Sequence, residues 1–323
     1  MTLLITGGAG FIGNNFIFYM MKKYPDHRIV CLDSLTYAGD INTLRSVMSL
    51  PQFRFVKADI TDVSAVDRVF GEEKPDIVIN FAAESHVDRS ITSPLLFSKT
   101  NLIGTQVLAD ACVKHNTPHF HQVSTDEVYG DTAADKGIYC TESAPLCPSN
   151  PYSASKAAAD LLVIAYHRTY GLKATVSRCT NNYGPCQHTE KLIPLMTVNA
   201  LRGLPLPVYG DGSNIRDWLY VEDHCRAIDM IIHNGKSGEI YNISGGEEMK
   251  NIDTVKQILT ILEKDSSLIK FTADRKGHDR RYCVDSSKIR SELGWKPLIR
   301  FDDGLRRTVE WYKENMARWE ADI

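Results

Sequence analysis

The feature that most constrains the fold of this chain is a glycine-rich loop near its start. An apolar run, Leu3–Thr6, leads into the sequence GGAGFIG at residues 7–13, and a helical pattern begins within that loop. Gly7, Gly10 and Gly13 are spaced three residues apart, and the loop also satisfies G-x-G-x-x-G. Glycine permits positive φ and close approach of the backbone to a ligand, and the helix that follows offers free N–H groups. In this strand–loop–helix context the pattern predicts binding of a dinucleotide pyrophosphate.

An acidic residue indicates which dinucleotide is bound. Asp33 ends the second predicted strand, about twenty residues after Gly13, where a carboxylate can hold the ribose hydroxyls and would repel a 2′-phosphate. Ser34, Leu35 and Thr36 follow it and supply no arginine for such a phosphate. The sequence therefore predicts NAD rather than NADP. A simpler interpretation is that Asp33 only caps a turn.

The rhythm of the chain predicts an α/β fold. The chain has 323 residues, which corresponds to roughly two domains. Nearly continuous apolar runs alternate with helical patterns in the first half, as in a doubly wound parallel sheet (Rossmann-like) with both faces covered. The predicted strands are Leu3–Thr6, Ile29–Leu32, Phe53–Lys57, Ile77–Asn80, Phe120–Val123 and Ala174–Arg178, and the predicted helices are Phe11–Lys23, Leu95–His115, Tyr152–Tyr170, Asp253–Glu263 and Asp302–Arg318. We expect an NAD-binding domain over residues 1–180 and a smaller α/β substrate domain over 181–323, with the chain crossing between the two.

Composition and charge exclude several classes of partner. The 37 Lys and Arg residues against 40 Asp and Glu residues give a net charge of −3, so the basic surplus of a nucleic-acid binder is absent. The start of the chain lacks a basic leader, and no apolar stretch approaches the roughly 20 residues of a membrane helix. The eight cysteines show no C-x-x-C spacing, which favours reduced thiols in a cytoplasm and argues against a structural metal. His119 and His121 alternate around Phe120, and we expect them to be exposed or edge residues rather than ligands.

A tyrosine and a lysine form the first catalytic pair. Tyr152 and Lys156 stand at i and i+4 in YSASK, directly after Pro151, and therefore share one face of a helix. A free tyrosine has a pKa of about 10, and bringing it near 7 requires roughly 4 kcal/mol. One positive charge about 4 Å away, at an effective dielectric constant near 20, supplies about that much. The pair is common on ordinary helices, but after a dinucleotide loop it predicts a catalytic phenol.

Two neighbouring carboxylates form the second catalytic group. Thr125, Asp126 and Glu127 follow a predicted strand, and strand ends of a doubly wound sheet meet the ligand crevice. One carboxyl group can act as acid and the other as base if their surroundings separate the pKa values. The alternative interpretation is a solvated acidic turn.

These motifs together resemble one family. The chain is similar to the extended short-chain dehydrogenases/reductases, and more narrowly to the nucleotide-sugar 4,6-dehydratases, best to the dTDP-glucose 4,6-dehydratase family. The resemblance covers nearly the whole chain. It rests on residues 6–13 (TGGAGFIG), 81–90 (FAAESHVDRS), 124–130 (STDEVYG), 152–156 (YSASK), 181–185 (NNYGP), 190–194 (EKLIP), 215–218 (IRDW) and 277–282 (GHDRRY). The Asp126–Glu127 pair weighs most, because similar epimerases and decarboxylases generally lack it.

The resemblance implies a redox-neutral lyase. Tyr152, helped by Lys156 and Thr125, would take the proton of the sugar 4-hydroxyl while hydride passes from C4 to NAD. Glu127 would remove the C5 proton, and Asp126 would protonate the departing 6-hydroxyl. Hydride would then return to C6 and a proton would be restored at C5, giving a 4-keto-6-deoxy sugar nucleotide and water.

The resemblance also implies a set of binding residues and a homodimer. Residues expected around NAD are Gly7, Gly10, Phe11, Ile12, Gly13, Asp33, Ser34, Leu35, Thr36, Asp59, Ile60, Phe81, Ala82, Ala83, Ser85, Thr100, Tyr152, Lys156 and Asn182. Residues expected around the sugar nucleotide are Ser85, Thr125, Asn181, Lys191, Leu192, Pro207, Tyr209, Arg216, Asn251, Arg275 and His278. The homodimer would pack two helices of each subunit into a four-helix bundle, and the stripe Leu96, Leu102 and Leu108 fits either that interface or a core.

Several alternatives stay open. Family members commonly carry aromatic and proline residues where this chain has Cys186-Gln187-His188-Thr189, beside the expected sugar pocket. The donor could therefore carry thymidine or uridine, and glucose or an N-acetylated sugar. A UDP-sugar 4-epimerase is the enzymatic rival, and an NAD-sensing scaffold without chemistry is a more distant one.

Overall fold

The computed structural model describes residues 1–132 and 139–318. These residues form a seven-stranded sheet of order β3-β2-β1-β4-β5-β6-β10, in which every neighbouring pair is parallel. The strands are β1 (Thr2–Thr6), β2 (Arg28–Asp33), β3 (Phe53–Lys57), β4 (Ile77–Asn80), β5 (His119–Thr125), β6 (Ala174–Cys179), β7 (Asn181–Tyr183), β8 (Leu206–Tyr209), β9 (Ile215–Tyr220), β10 (Ile240–Ile243), β11 (Glu248–Lys250) and β12 (Ile269–Thr272). The predicted strands of the first half are confirmed; two have the predicted bounds, and the ends of the others are shifted by one or two residues.

Helices cover both faces of the large sheet. Along the chain they are α1 (Phe11–Lys23), α2 (Val63–Glu73), α3 (Val87–Thr92), α4 (Pro94–Phe97), α5 (Gly104–His115), α6 (Pro151–Tyr170), α7 (Leu192–Arg202), α8 (Val221–Asn234), α9 (Asn251–Ile261), α10 (Ser287–Leu293) and α11 (Phe301–Glu314). Apolar residues of α2, α5 and α6 pack into one core, and those of α1 and α8 pack into another on the opposite face. The predicted doubly wound α/β fold is confirmed.

The helix predicted over Leu95–His115 is interrupted. After the short helix α4, residues Ser98–Ile103 adopt a π-helical form, and the regular helix α5 starts only at Gly104. Asn101 explains the interruption, because its side-chain amide accepts from the N–H of Glu84 (2.8 Å) and donates to the hydroxyl of Ser155 (2.8 Å). These bonds to distant residues hold a helical turn that the local sequence does not specify.

Two smaller sheets form a second layer near one end of the large sheet. Strands β11-β9-β7 form one of these sheets and β12-β8 form the other, and a third apolar core with α7, α9 and α11 packs against them. Strand β10, which follows both β7 and β9 in sequence, returns to the edge of the large sheet beside β6. Residues after 180 thus contribute to both layers.

The expectation that His119 and His121 are exposed or edge residues is wrong. Strand β5 lies between β4 and β6, and His121 is fully buried. Its ring nitrogens lie 2.9 Å from the hydroxyl of Thr175 and 3.0 Å from that of Ser177. These two hydroxyls on the neighbouring strand satisfy the imidazole, so a polar ring can sit inside the sheet.

Across the described ranges, 1–132 and 139–318, no helix has the length and apolar character needed to cross a bilayer.

Candidate active site

The glycine loop lies at the carboxyl edge of the large sheet, where β1 and β4 are neighbours. Gly7 has φ +68°, and a Cβ at this position would stand 2.6 Å from the backbone nitrogen of Ala82. A Cβ on Gly13 would stand 2.4 Å from the carbonyl oxygen of Gly7. No side chain caps α1 at Gly10, so its first backbone N–H groups remain for a ligand. A crevice where strand order reverses is where doubly wound folds bind nucleotides.

Asp33 organises the loop as well as the crevice. Its Oδ2 accepts from the N–H of Ala9 at 2.9 Å, and its Oδ1 accepts from the N–H of Leu35 at 2.8 Å. Asp33 therefore shapes a turn and also reaches the glycine loop. Leu35 packs its side chain against the α1 core, so it would serve the cofactor only through its backbone.

The cavity beside Asp33 could hold the adenosine half of a dinucleotide. It is lined by Gly7, Gly10, Leu32, Asp33, Ser34, Thr36, Ala38, Gly39, Ala58, Asp59, Ile60, Phe81, Ala82, Ala83 and Thr100. Eleven of these lining residues are among those predicted to bind the cofactor.

A capped helix positions the tyrosine and the lysine. Asn150 accepts from the N–H of Ser153 at 2.9 Å in a capping box, and Pro151 occupies the first helical position of α6. Such a cap contributes about 1 kcal/mol to helix stability. Tyr152 and Lys156 then lie on one face, and Lys156 Nζ donates to the carbonyl oxygen of Val123 at 2.6 Å.

A short 3-10 turn, Asp126–Tyr129, carries the two carboxyl groups. It follows β5 directly, and the Thr125 hydroxyl accepts from the N–H of Glu127 and donates to Asp126 Oδ1 at 3.2 Å. Asp126 is 2% exposed, and its other oxygen is buried without a hydrogen-bond partner. The hydroxyl of Tyr282 donates to Asp279 Oδ2 at 2.7 Å and lies 3.4 Å from Glu127 Oε2. The pair is thus enclosed, and the alternative of a solvated acidic turn is wrong.

The surroundings separate the acidities of these two carboxyl groups. Burial raises the pKa of Asp126 well above its usual value, and the charge of Glu127 raises it further. Burial also raises the pKa of Glu127, but the positive charges of Arg275, Arg216 and Lys191 oppose that rise. Asp126 is therefore the group that holds a proton, and Glu127 is the group that ionises first.

Burial shifts the pKa values of Tyr152 and Lys156 in opposite directions. Burial, followed by the charge of Glu127, raises the pKa of Tyr152 well above its usual value. Burial lowers the pKa of Lys156, while the charge of Asp160 raises it. A further positive charge in the cleft would favour the phenolate of Tyr152, as the positively charged nicotinamide of a bound cofactor would.

A second and larger cleft brings the predicted catalytic groups together. Its empty volume is about 1140 Å³, and it shares Gly7, Gly10, Phe81 and Ala83 with the adenosine cavity. The lining residues are Gly7, Gly10, Phe11, Ile12, Gly13, Ala38, Phe81, Ala83, Ser85, Val123, Ser124, Thr125, Asp126, Glu127, Tyr152, Lys156, Cys179, Thr180, Asn181, Asn182, Gln187, His188, Glu190 and Lys191. All five predicted catalytic residues therefore face one space together with the glycine loop.

The remaining predicted sugar-nucleotide residues lie beyond this lining. Arg216 stacks on the ring of Tyr282 at 4.5 Å, and Tyr209 donates to Asp88 at 3.2 Å. His278 pairs with Asp274, and buried polar atoms of Arg275 and Asn251 have no hydrogen-bond partner. Pro207 belongs to β8, and Leu192 packs against the α7 core. Of these seven residues, the structure connects Arg216 and Arg275 to the cleft through their charges on Glu127.

Several lining residues were not among the predicted site residues. Cys179 ends β6 and Thr180 follows it, and Gln187, His188 and Glu190 belong to the loop after β7. Glu190 accepts from the hydroxyl of Tyr37 at 3.1 Å and closes one wall. The position of Cys179 could have been found, because the carboxyl end of a strand next to β5 must reach the same edge of the sheet. Among the residues that the structure describes, no group of three His, Cys, Asp or Glu side chains is placed to hold a metal ion.

A tyrosine–lysine pair at the carboxyl edge of a doubly wound sheet, next to a dinucleotide loop, places the chain in the short-chain dehydrogenase/reductase class. The comparison with known families is more specific. The family model described as GDP-mannose 4,6 dehydratase matches residues 4–308, and the chain belongs to this family.

Individual relatives share most of their length with this chain. A dTDP-glucose 4,6-dehydratase of Neisseria meningitidis is 48% identical over 98% of this chain and 95% of its own length. A crystal structure of the dTDP-glucose 4,6-dehydratase from Streptomyces venezuelae, with NAD bound, matches with a TM-score of 0.96 and 49% identity, covering 99% of each chain. A UDP-glucose 4-epimerase from Thermotoga maritima matches with a TM-score of 0.91 but 29% identity, over 98% of this chain and 100% of its own.

Proposed function

We propose that this chain is an NAD-dependent nucleotide-sugar 4,6-dehydratase, and that it converts dTDP-glucose to dTDP-4-keto-6-deoxyglucose and water. One observation carries the proposal. Asp126, Glu127, Tyr152 and Lys156 line a single cleft together with the glycine loop. An epimerase has no use for an acid and a base beside C5 and C6, whereas dehydration needs both.

Two residues of α6, Tyr152 and Lys156, carry out the first part of the reaction. Tyr152 takes the proton of the sugar 4-hydroxyl, and the nearby ammonium of Lys156 stabilises the phenolate. Thr125 contributes a side-chain hydrogen bond that lowers the pKa of Tyr152 against the larger effect of burial. When bound, NAD supplies reversible hydride acceptance from C4 and hydride return to C6.

Two residues of the 3-10 turn, Asp126 and Glu127, carry out the second part of the reaction. A ketone at C4 acidifies the C5 hydrogen, and Glu127, the more readily ionised carboxyl group, removes it. Asp126 holds the proton that the departing 6-hydroxyl needs, so water can leave. The proton that Glu127 took returns to C5 when hydride returns to C6. The order of acidities in the structure therefore matches the roles of acid and base.

The proposal extends to the binding residues. We propose that the two contiguous cavities hold NAD, and that Ser85, Asn181 and Lys191 contact the sugar. Arg216 and Arg275 would bind the diphosphate, since a guanidinium fork suits phosphate oxygens. Leu192, Pro207, Tyr209, Asn251 and His278 would complete the nucleotide side. Residues 1–180 and 181–323 would act as cofactor and substrate domains, with β10 returning to the first.

The test compares two donors with the purified protein. Incubation with dTDP-glucose should give a product lighter by one water, with an alkali-induced 4-keto chromophore. Faster dehydration of UDP-glucose would reassign the nucleotide. A C4 epimer without loss of water would favour the epimerase, and bound NAD without turnover on either donor would favour the scaffold.

We also propose a homodimer in which α5 and α6 of each subunit form a four-helix bundle. Leu95, Ile103 and Leu161 are 80%, 45% and 61% exposed in the isolated chain, and all three belong to the segment from α4 to α6. Leu96 is also exposed while Leu108 is buried, so the predicted leucine stripe divides between surface and core. Leu161→Glu should convert the dimer to a monomer, as measured by sedimentation, whereas a monomeric parent chain would contradict the proposal.

We also propose a cytoplasmic location. The buried free thiols of Cys31, Cys112 and Cys225 support it, because free thiols persist in a reducing compartment.

A further inference from the structure

A buried arginine lies between the two catalytic elements. Arg178, on β6, is 2% exposed. Its Nε donates to Asp160 Oδ2 at 2.9 Å, and its Nη1 donates to the hydroxyl of Tyr129 at 2.8 Å. The guanidinium carbon also lies 4.9 Å from the centroid of the Tyr129 ring. One cation is therefore held by an acid on one side and by a phenol on the other.

The two partners of Arg178 are close in sequence to the catalytic groups. Asp160 stands four residues after Lys156 on α6, so the two share a helix face. Tyr129 ends the 3-10 turn that carries Asp126 and Glu127. Tyr129 in turn donates to Asn242 Oδ1 on β10 at 2.8 Å. Arg178 thus connects the helix that serves C4 to the turn that serves C5 and C6.

The ion pair is costly, which points to a role other than stability. The side chains of Arg178 and Asp160 are 3% and 0% exposed. Such a buried pair is often no more stabilising than apolar residues of the same volume. One oxygen of Asp160 is also buried without a hydrogen-bond partner. Stability alone gives no reason for charges at these positions.

We propose that Arg178 is a positioning residue for dehydration. It pairs with Asp160 on the helix that carries Lys156 and bonds Tyr129 on the turn that carries Glu127. In this way it holds the groups for oxidation and the groups for elimination at fixed positions around one sugar ring. This inference rests on the proposed function. A misplacement of about 1 Å can cost on the order of 10²-fold in rate, so a rigid connection between two elements has a measurable effect.

The charges around Lys156 support the same assignment. On its own helix, Asp160 is the acid that raises the pKa of Lys156 against the effect of burial. On β6, Cys179 also raises the pKa of Lys156, and the positive charge of Arg178 lowers the pKa of Asp160. On the turn, the charge of Asp126 raises the pKa of Cys179. The Asp160–Arg178 pair is therefore part of the electrostatic environment of the catalytic ammonium.

The first experiment removes one hydroxyl. Tyr129→Phe keeps the ring under the guanidinium but breaks the bonds to Arg178 and Asn242. We expect turnover of dTDP-glucose to fall about tenfold while absorbance of NADH at 340 nm builds up, because oxidation continues and elimination slows. Tyr241→Phe is the matched control, since Tyr241 is buried, has a cation over its ring at 4.8 Å and donates to Glu292. Equal effects of the two variants, or slower turnover without NADH build-up, would overturn the proposal.

The second experiment removes both charges at once. Asp160→Leu combined with Arg178→Met should fold with at least the thermal stability of the parent, because apolar residues replace a buried pair. We expect it to retain NAD but to dehydrate about tenfold more slowly, with NADH again accumulating. Parent-like turnover in a folded double variant would show that the pair serves only packing.

A third measurement needs no substrate. The NAD-loaded protein, labelled with carbon-13 at the lysine Cε, is titrated by NMR, and Lys156→Met identifies the signal of Lys156. Asp160→Asn should lower the pKa of Lys156 relative to the parent, because a negative charge beside the ammonium is lost. An unchanged titration would overturn the role of Asp160. If the parent dehydrates no donor, the proposed function fails while this titration still decides whether the pair acts on Lys156.

Discussion

The ammonium of Lys156 donates a hydrogen bond to the carbonyl oxygen of Val123 at 2.6 Å, two residues before Thr125. This bond connects Lys156 to β5, the strand that also leads into Asp126 and Glu127. The groups proposed to act on C4 and those proposed to act on C5 and C6 therefore meet at the end of one strand.

Loss of the lysine should slow oxidation at C4. Lys156→Met removes a positive charge, and such a charge about 4 Å from a phenolate would stabilise it by about 4 kcal/mol at an effective dielectric constant near 20. We expect turnover to fall roughly 10²- to 10³-fold at pH 7 and less at pH 9, where more phenolate forms without help. Lys173→Met, on an exposed loop before β6, is the control. Equal losses at both pH values would argue against an electrostatic role.

Glu127→Gln should separate the two halves of the reaction. The amide keeps the shape of the side chain but cannot take the C5 proton. Oxidation at C4 should continue, so absorbance at 340 nm should rise to a plateau near one equivalent while water loss falls at least 10²-fold. Mass spectrometry of the product and stopped-flow absorbance measure both events. Normal product formation would show that another group is the base.

The acid should set the alkaline limb of the pH profile. Asp126 must carry a proton, and its raised pKa keeps that proton at a pH where an ordinary aspartate has lost it. Turnover should therefore fall as the pH rises through the pKa of Asp126, and it should fall on the acid side as Glu127 becomes protonated. Asp126→Asn should slow elimination about 10²-fold and remove the alkaline limb of that step. An alkaline limb that persists in the elimination rate of this variant would belong to another group.

The glycine loop and the placement of the predicted catalytic residues in one cleft were predictable because each depends on a local pattern. The loop GGAGFIG, the i,i+4 spacing of Tyr152 and Lys156, and the position of Asp126 after a strand need only a few neighbouring residues. Together with strand–helix alternation, these patterns also predicted the parallel sheet, since strand ends of such a sheet share one edge.

Long-range contacts were not predictable. His121 is buried because Thr175 and Ser177, more than fifty positions later, present hydroxyls to its ring. The π-helical segment depends on Asn101 bonding to Glu84 and Ser155. Local propensity contains no information about such partners, so the sequence favoured an exposed histidine and an uninterrupted helix.

Replacing Asp33 should weaken NAD binding and relax discrimination against NADP. Asp33→Ser removes a buried carboxylate that accepts from Ala9 and Leu35, and it removes the charge that would repel a 2′-phosphate. A hydrogen bond to a charged group contributes about 1.5–3 kcal/mol, so affinity for NAD should fall roughly 10- to 100-fold. Asp76→Ser is the control, because Asp76 accepts from the N–H of Thr2 at the opposite edge of the sheet. Calorimetric titration with both dinucleotides measures the change, and an unaltered ratio of affinities would contradict it.

A buried carboxylate far from the cleft should set part of the acid stability. Asp229, on α8, forms an ion pair with Lys23 and accepts a hydrogen bond from the hydroxyl of Tyr19, both on α1. The imidazole Nδ1 of His233 lies 3.0 Å from Asp229 Oδ1. Although burial alone would raise it, these bonds lower the pKa of Asp229 to about 2. Its pKa is thus below the unfolded value of 3.8, and the stabilisation is present above that value and lost as the pH falls toward 2. The hydrogen bond to Asp229 raises the pKa of His233, so the contribution of His233 to stability is present at low pH and lost as the pH rises through that pKa.

The variant Asp229→Asn tests this relation. We expect it to unfold about 2 kcal/mol more easily than the parent at pH 6, as measured by urea denaturation. The difference should narrow somewhat above the raised pKa of His233 and should close between pH 4 and pH 2, where Asp229 of the parent becomes protonated. Asp253→Asn, an exposed acid in the first turn of α9, should leave the denaturation midpoint within error of the parent. A difference that stays constant down to pH 2 would mean that Asp229 stabilises the chain through packing and not through its charge.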